Sequence, residues 1–160
     1  MGIYFLDTSA LVKNYVSESG SDWVIAQYHL KRDHTLIISQ ATLVEAIASF
    51  CRKARDQNIN QRISEAERDR IIALFRQDTR RRYCVARVTS AIYIFAGDLC
   101  RVHKLRAYDA IQLACALVVR KKLADIDVEA PTFVSADIEL LNIAHEEGLS
   151  IINPVQEVRH

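Results

Sequence analysis

Along the 160-residue chain, short runs of β-favouring apolar residues alternate with longer stretches whose apolar positions recur every three or four residues. The short runs are "IYFL" (3–6), "TLIIS" (35–39), "YCVARV" (83–88), "TFVS" (132–135) and "LSII" (149–152), and each predicts a strand. Helical patterns occupy roughly 8–16, 21–32, 41–56, 64–79, 89–103, 108–122 and 137–147. In the third, Leu43, Ile47, Phe50, Cys51 and Ala54 form the apolar stripe of an amphipathic helix. In the sixth, Ile111, Ala114, Cys115 and Val118 do so, and Leu113 and Leu117 widen the stripe. Strands that are continuously apolar and alternate with helices predict an α/β three-layer sandwich: a central parallel sheet of four to five strands flanked by helices.

Four glycines and two prolines punctuate the chain, with no low-complexity linker and no internal repeat, so residues 1–160 are expected to form one domain. Half the residues are hydrophobic and 26% are charged, as in an ordinary soluble protein. A net charge of +1 argues against a polybasic non-specific nucleic-acid binder and leaves room for a local basic groove. Cys51, Cys84, Cys100 and Cys115 are widely spaced, form no zinc-type cluster, and are expected as buried free thiols in a reducing compartment. The chain starts directly on a strand, and no run approaches the ~20 apolar residues of a membrane span. A cytoplasmic protein with no membrane association is the expectation.

The acids carry the chemistry. In a parallel sheet every strand ends at the same edge, from which the helices leave. Asp7 follows the first strand, Glu45 lies in the first turns after the second, and Asp137 follows the fourth. Asp109 opens a helix with no strand immediately before it and can join them if that helix starts at the same edge. Taken singly, each has a structural explanation. Asp7 and Asp137 suit N-caps, and Thr42 with Glu45 makes the T-x-x-E of a capping box. Glu45 lies opposite Ile47 and Phe50, as a solvated acid does, and Asp109 suits the helix dipole. Capping and catalysis are compatible, however. Four carboxylates at one edge repel one another, and a divalent cation compensates; oxygen ligands favour Mg²⁺ or Mn²⁺, and no His/Cys cluster points to zinc.

Four stretches in order, "FLDTSALVK" around Asp7, "TLVEAIAS" around Glu45, "LRAYDAIQLACAL" around Asp109 and "FVSADIELLNIAHEEGLSIINP" around Asp137, resemble the PIN domains, and within them the VapC-type toxin nucleases of toxin–antitoxin pairs. The resemblance spans nearly the whole chain; the segment 55–82 looks longer than in compact members. It implies a metal-dependent ribonuclease whose catalytic, metal-binding acids are Asp7, Glu45, Asp109 and Asp137. Ser9 matches a hydroxyl near the metal, with Thr8 beside it, and Ser135 holds the small hydroxyl position before the last acid. The implied products carry a 3′-hydroxyl and a 5′-phosphate. Asp7 and Asp109, short acids at helix starts, are the best candidates for direct ligands. Glu45 binds a second ion, holds its water or acts as general base, and Asp137 completes the cage. The resemblance also implies an RNA substrate, a cognate antitoxin protein and a homodimer.

An RNA that reaches an acidic pocket calls for cations at its rim, and Arg52, Lys53, Arg101, Lys104 and Arg106 are the candidates, though a solvated surface charge is the more ordinary explanation of each, since charged helix faces are routine. The "RRR" at 80–82 either contacts phosphate or keeps a loop soluble. His29, His34, His103, His145 and His160 are scattered and read as surface or satisfied residues. Trp23 and the tyrosines form no interleaved basic–aromatic platform. A haloacid-dehalogenase phosphatase needs a second Asp where Ser9 stands, and a receiver domain wants an acidic pair early and a lysine after a late strand. G-x-G-x-x-G and G-K-[ST] are absent. The rival that survives is a PIN-like protein that binds RNA or a partner without cutting.

Overall fold

The structure, a computed structural model, describes residues 2–29 and 33–157, without the side chain of His29. Among these residues are five strands, β1 (Ile3–Leu6), β2 (Thr35–Ser39), β3 (Tyr83–Ala86), β4 (Thr132–Val134) and β5 (Ser150–Ile152). They form one all-parallel sheet in the order β3-β2-β1-β4-β5. The helices are α1 (Thr8–Leu11), α2 (Ser21–His29), α3 (Thr42–Ala54), α4 (Glu65–Arg81), α5 (Ser90–Val102), α6 (Ala107–Ala124) and α7 (Ile138–Glu146).

Successive strand residues point to opposite faces, and the sheet uses both. Phe5, Ile37 and Phe133 pack on one face with α5, α6 and α7, where the Phe5 and Phe133 rings stack at 5.8 Å. Leu6, Leu36, Ile38 and Val134 pack on the other with α1, α3 and α4, around Phe50 and Phe75. This is the sandwich that the apolar runs predict. The chain works outwards from β1 to β3, then returns through α5 and α6 to place β4 on the other flank of β1. Strand order therefore reverses between β1 and β4, which opens a crevice at their carboxyl ends.

Departures from the predicted elements have local causes. The helix expected over 8–16 is α1 followed by a 3₁₀ turn, Val12–Asn14. The strand expected to reach residue 88 stops at Ala86, where Gln40 takes over: its N–H donates to Ala86 O at 2.8 Å and its Oε1 accepts from Val88 N–H at 3.1 Å. Residues 30–32 of the predicted second helix lie outside the described residues. Segment 55–82 is a loop and then α4, capped by Ser64 Oγ on Glu67 N–H at 3.1 Å. Its Ile71 and Phe75 complete the second core. The cysteines are unpaired, but the expectation of buried thiols is wrong for Cys84 and Cys100, which are exposed; only Cys115 is fully buried. No helix among the described residues is long and apolar enough to cross a membrane.

Candidate active site

Asp7 stands where β1 hands over to α1. Its N–H donates to Val134 O at 2.9 Å, extending the ladder one residue beyond the strand. Its side chain caps α1 by accepting from Ser9 N–H at 3.3 Å. The same oxygen, Oδ2, accepts from the Ser9 hydroxyl at 2.7 Å and from the Ser135 hydroxyl at 3.0 Å. Those hydroxyls are themselves fastened, Ser9 Oγ by Ala136 N–H at 2.9 Å and Ser135 Oγ by Asp137 N–H at 3.1 Å. Asp7 is thus buried with one oxygen fully engaged and, among the described residues, no hydrogen bond on the other. Burial raises its pKa; the Ser9 and Ser135 bonds oppose this, and the charge of Glu45 adds to it.

Glu45 departs from the expected capping box. The N-cap of α3 is Ala41, without a side-chain bond, and Thr42 is already helical. The Thr42 hydroxyl faces Gln112 instead, accepting from its Nε2 at 2.9 Å. Nor is Glu45 a solvated acid. Its Oε2 accepts from the Thr8 hydroxyl at 2.6 Å and from Gln112 Nε2 at 3.1 Å. Glu45 does point away from the apolar stripe, but that side of α3 faces α1 and α6 across a polar seam. Thr42, Glu45 and Ser49 recur at three and four residues along it.

Asp109 sits half-buried in the first turn of α6 and Asp137 caps α7, its Oδ1 accepting from Leu140 N–H at 3.1 Å. Burial together with the charges of Asp7, Asp137 and Glu45 pushes the Asp109 pKa up to about 6, against the opposing charge of Arg106. Three acids acting on the fourth is the electrostatic signature of their convergence. The structure therefore brings Asp7, Glu45, Asp109 and Asp137 to one edge, with Thr8, Ser9 and Ser135 between them. Among the described residues no three Asp, Glu, His or Cys side chains close around one point as metal ligands do. The acids are gathered without being drawn into a finished cage.

Of the candidate rim cations, Arg106 is the N-cap residue of α6 beside Asp109. Arg101 is exposed and 3.9 Å from Asp98, and Lys104 is exposed. Arg52 donates to Ser49 Oγ at 2.8 Å, and Lys53 pairs with Glu18 at 2.5 Å. In the 80–82 run, Arg80 and Arg81 are exposed, whereas Arg82 is structural, lying over the Tyr28 ring at 5.3 Å and donating to Tyr28 O at 3.1 Å. His34 Nδ1 accepts from Gly2 N–H at 2.9 Å, and His103 bonds Glu147 at 2.6 Å. The His29 side chain and His160 lie outside the described residues.

Two residues escape the sequence reading. Gln112 is wholly buried and its amide nitrogen lies within 3.1 Å of Thr8, Thr42 and Glu45 oxygens. The available signal is an amide three residues beyond Asp109 in an otherwise apolar run, "DAIQLACAL". Lys13 is the other: a lysine in an apolar turn, 6% exposed and paired with Glu18 at 2.8 Å. Nothing in its neighbours along the chain signals that pairing.

Comparison with known proteins gives a consistent picture. Residues 4–146 match the PIN domain family. No curated protein matches the sequence. Among solved structures, the chain is similar to VapBC2 from Rickettsia felis bound to a DNA fragment from its promoter, with TM-score 0.60, 16% identity and coverage of 94% of this chain and 98% of that one. It is similar to Mycobacterium tuberculosis VapC20, a Sarcin-Ricin loop cleaving toxin, with TM-score 0.62, 16% identity and coverage of 99% and 100%. It is also similar to PAE2754 from Pyrobaculum aerophilum, with TM-score 0.58, 19% identity and coverage of 97% and 85%. At these identities the likeness is one of fold.

Proposed function

The chain belongs to the PIN domain family, and from that premise we propose that it is a Mg²⁺- or Mn²⁺-dependent endoribonuclease, the toxin of a toxin–antitoxin pair. The observation that carries this reading is the convergence of four carboxylates from four separate segments on the crevice between β1 and β4, where burial first, and then the charges of Asp7, Asp137 and Glu45, raise the Asp109 pKa.

The residues suit a hard divalent ion. All the donors are carboxylate oxygens. Asp7, Glu45 and Asp137 each have one oxygen anchored by hydrogen bonds and, among the described residues, a second that carries none. Asp7 and Asp109 would hold the ion, with Asp137 and Glu45 completing its surroundings. When bound, the ion would lower the pKa of water and offset charge on the phosphate oxygens.

The chain's own contribution is orientation and proton transfer. Ser9 and Ser135 fix the Asp7 carboxylate by its Oδ2, as partners behind a metal ligand do. Thr8 and Gln112 fix Glu45 by Oε2, leaving Oε1 to accept a proton from the attacking water. Arg106 beside Asp109 would meet an incoming phosphate, and Arg52, Lys53, Arg101 and Lys104 are the further cations placed to draw RNA in. As a toxin it would act in the cytoplasm, form a homodimer and be held inactive by an antitoxin protein that covers the acid crevice.

The test is cleavage of a mixed RNA pool with Mn²⁺, comparing the parent with Asp7→Asn and Asp109→Asn. Loss of cleavage by two or more orders of magnitude, with folding intact, supports the nuclease. If both variants cut as the parent does, the site is misassigned. If a folded parent cuts nothing, and neither does a panel of structured RNAs, the non-cutting rival gains.

A further inference from the structure

Lys13, in the turn after α1, is almost fully buried, and a buried ammonium requires a partner. It has Glu18 Oε1 at 2.8 Å, while Glu18 Oε2 takes Lys53 of α3 at 2.5 Å. One carboxylate thus clamps two lysines from separate segments. Glu18 is itself held. Its N–H donates to Ser21 Oγ at 2.9 Å, and Ser21 N–H donates to Glu18 O at 3.0 Å. At Gly20 the chain turns with φ +86°, and a Cβ would lie 2.9 Å from the Pro154 backbone, so only glycine fits. Burial raises the Glu18 pKa, but the bonds from Lys13 and Lys53 outweigh it and hold the carboxyl below its usual range.

The clamp lines a groove of about 460 Å³ whose wall also includes Ser9, Arg52 and Ala136. Ser9 is the residue whose hydroxyl fixes Asp7, so the groove leads directly out of the acid centre. Three cations, Lys13, Arg52 and Lys53, face two carboxylates, Glu18 and Asp56, and the groove is cationic where its neighbour is anionic. A second cavity of about 530 Å³ shares Glu18 and Lys53 and continues to Asn60, Gln61 and Arg62. Those amides belong to the loop of the longer 55–82 segment.

We propose that this groove is the track for the RNA strand flanking the scissile bond. The Lys13–Glu18–Lys53 clamp and Arg52 hold the neighbouring phosphate, and the strand runs on toward Asn60, Gln61 and Arg62. The inference rests on the ribonuclease reading. An acid centre repels a polyanion, so the phosphate next to the reacting one needs a cation, and these are the cations that share a wall with Asp7's partner. The amides further along can meet the edges of an unstacked base, which favours RNA over an acidic peptide. Glu18 sets the spacing of the lysines and withholds part of their charge.

The test is binding of a fluorescent, mixed-sequence single-stranded RNA of about twelve nucleotides to the full chain in EDTA, between about 50 and 300 mM KCl. Arg52→Ala/Lys53→Ala should weaken binding about tenfold and lower the salt slope by about 0.7, the value for the one phosphate contact they share. Arg76→Ala/Arg80→Ala, which removes equal charge from the exposed face of α4, should change neither. Glu18→Gln should tighten binding about threefold, whereas a purely structural Glu18 would weaken it. An unchanged salt slope in the Arg52/Lys53 variant overturns the proposal. So does failure of the parent to bind at the lowest salt, or stronger competition from polyglutamate than from unlabelled RNA. Cleavage and Mn²⁺-dependent stability report on the acid centre separately: if those persist while the slope is unchanged, the groove alone falls. If they fail while the slope responds, the nuclease reading falls and an RNA-binding groove stands.

Discussion

Gln112 Nε2 lies 3.1 Å from Glu45 Oε2, joining α6, which carries Asp109, to α3, which carries Glu45. Because the same nitrogen also reaches Thr8 and Thr42, one wholly buried amide ties α1, α3 and α6 together behind the site. A buried amide with this many partners is costly to remove, since each partner loses a hydrogen bond that water cannot readily replace.

Gln112→Leu, which keeps the volume and deletes the amide, should therefore lower stability by about 2 kcal/mol. For a chain of this length that is a fall in Tm of roughly 4–8 °C. Cleavage should fall further than stability accounts for, because Glu45 loses one of its two anchors. Thermal melts and cleavage rates at a temperature where both proteins are folded check this. A melt coincident with the parent's would show that the amide holds nothing.

Asp109 gives the pH dependence. Its pKa is raised to about 6 from the ordinary 3.8. The folded state therefore binds more protons than the unfolded one between those values, and stability falls as pH rises through that window. Removing the charge should relieve the penalty at neutral pH. Without metal, Asp109→Asn should exceed the parent by about 1 kcal/mol at pH 7, after allowing for solvent screening of a half-buried group. The advantage should shrink below pH 6 and vanish near pH 4. Melts in EDTA from pH 4 to 8 test it, and an advantage that persists at pH 4 would have another origin.

Divalent metal should reverse that order. A native-state ligand at about a hundred times its Kd adds ~2.7 kcal/mol, or roughly 5–10 °C in Tm here. The parent should gain this with millimolar Mn²⁺, and Asp109→Asn should not. The less stable protein in EDTA thus becomes the more stable one in Mn²⁺. A parallel gain in both would place the metal elsewhere; no gain in either would leave the acids to bind metal only with RNA present.

The strands were legible because a parallel sheet buried on both faces demands continuous apolar runs, and each of the five runs supplied its strand. Asp7 and Asp137 were legible as caps because capping is local: each accepts from a backbone N–H two or three residues on. Glu45 was half legible. Periodicity gives the side of α3 that it occupies but cannot say that Thr8, thirty-seven residues earlier in the chain, covers that side. The Lys13–Glu18–Lys53 clamp was illegible for the same reason, since its third member comes from a different helix. What periodicity cannot carry is the polar seam, where long-range partners rather than burial decide each side chain's direction.

Ser135 offers the sharpest test of how Asp7 is held. Its hydroxyl donates to Asp7 Oδ2 at 3.0 Å while accepting from Asp137 N–H at 3.1 Å, so one buried atom serves two acids. Ser135→Ala should lower stability by about 1–2 kcal/mol and weaken Mn²⁺ binding roughly ten- to a hundredfold, as loss of a ligand's supporting partner does. Ser9→Ala should do likewise, since Ser9 Oγ lies 2.7 Å from the same carboxylate oxygen. The two hydroxyls also touch each other at 3.2 Å, so their effects are not independent. Once either is gone, Asp7 is held less firmly, and the second loss has less left to disturb. The double variant should therefore fall short of the sum of the singles by about 0.5 kcal/mol or more, measured as Mn²⁺ affinity from titrated melts. Strict additivity would mean that each serine acts alone and that Asp7 is held chiefly by its place at the end of β1.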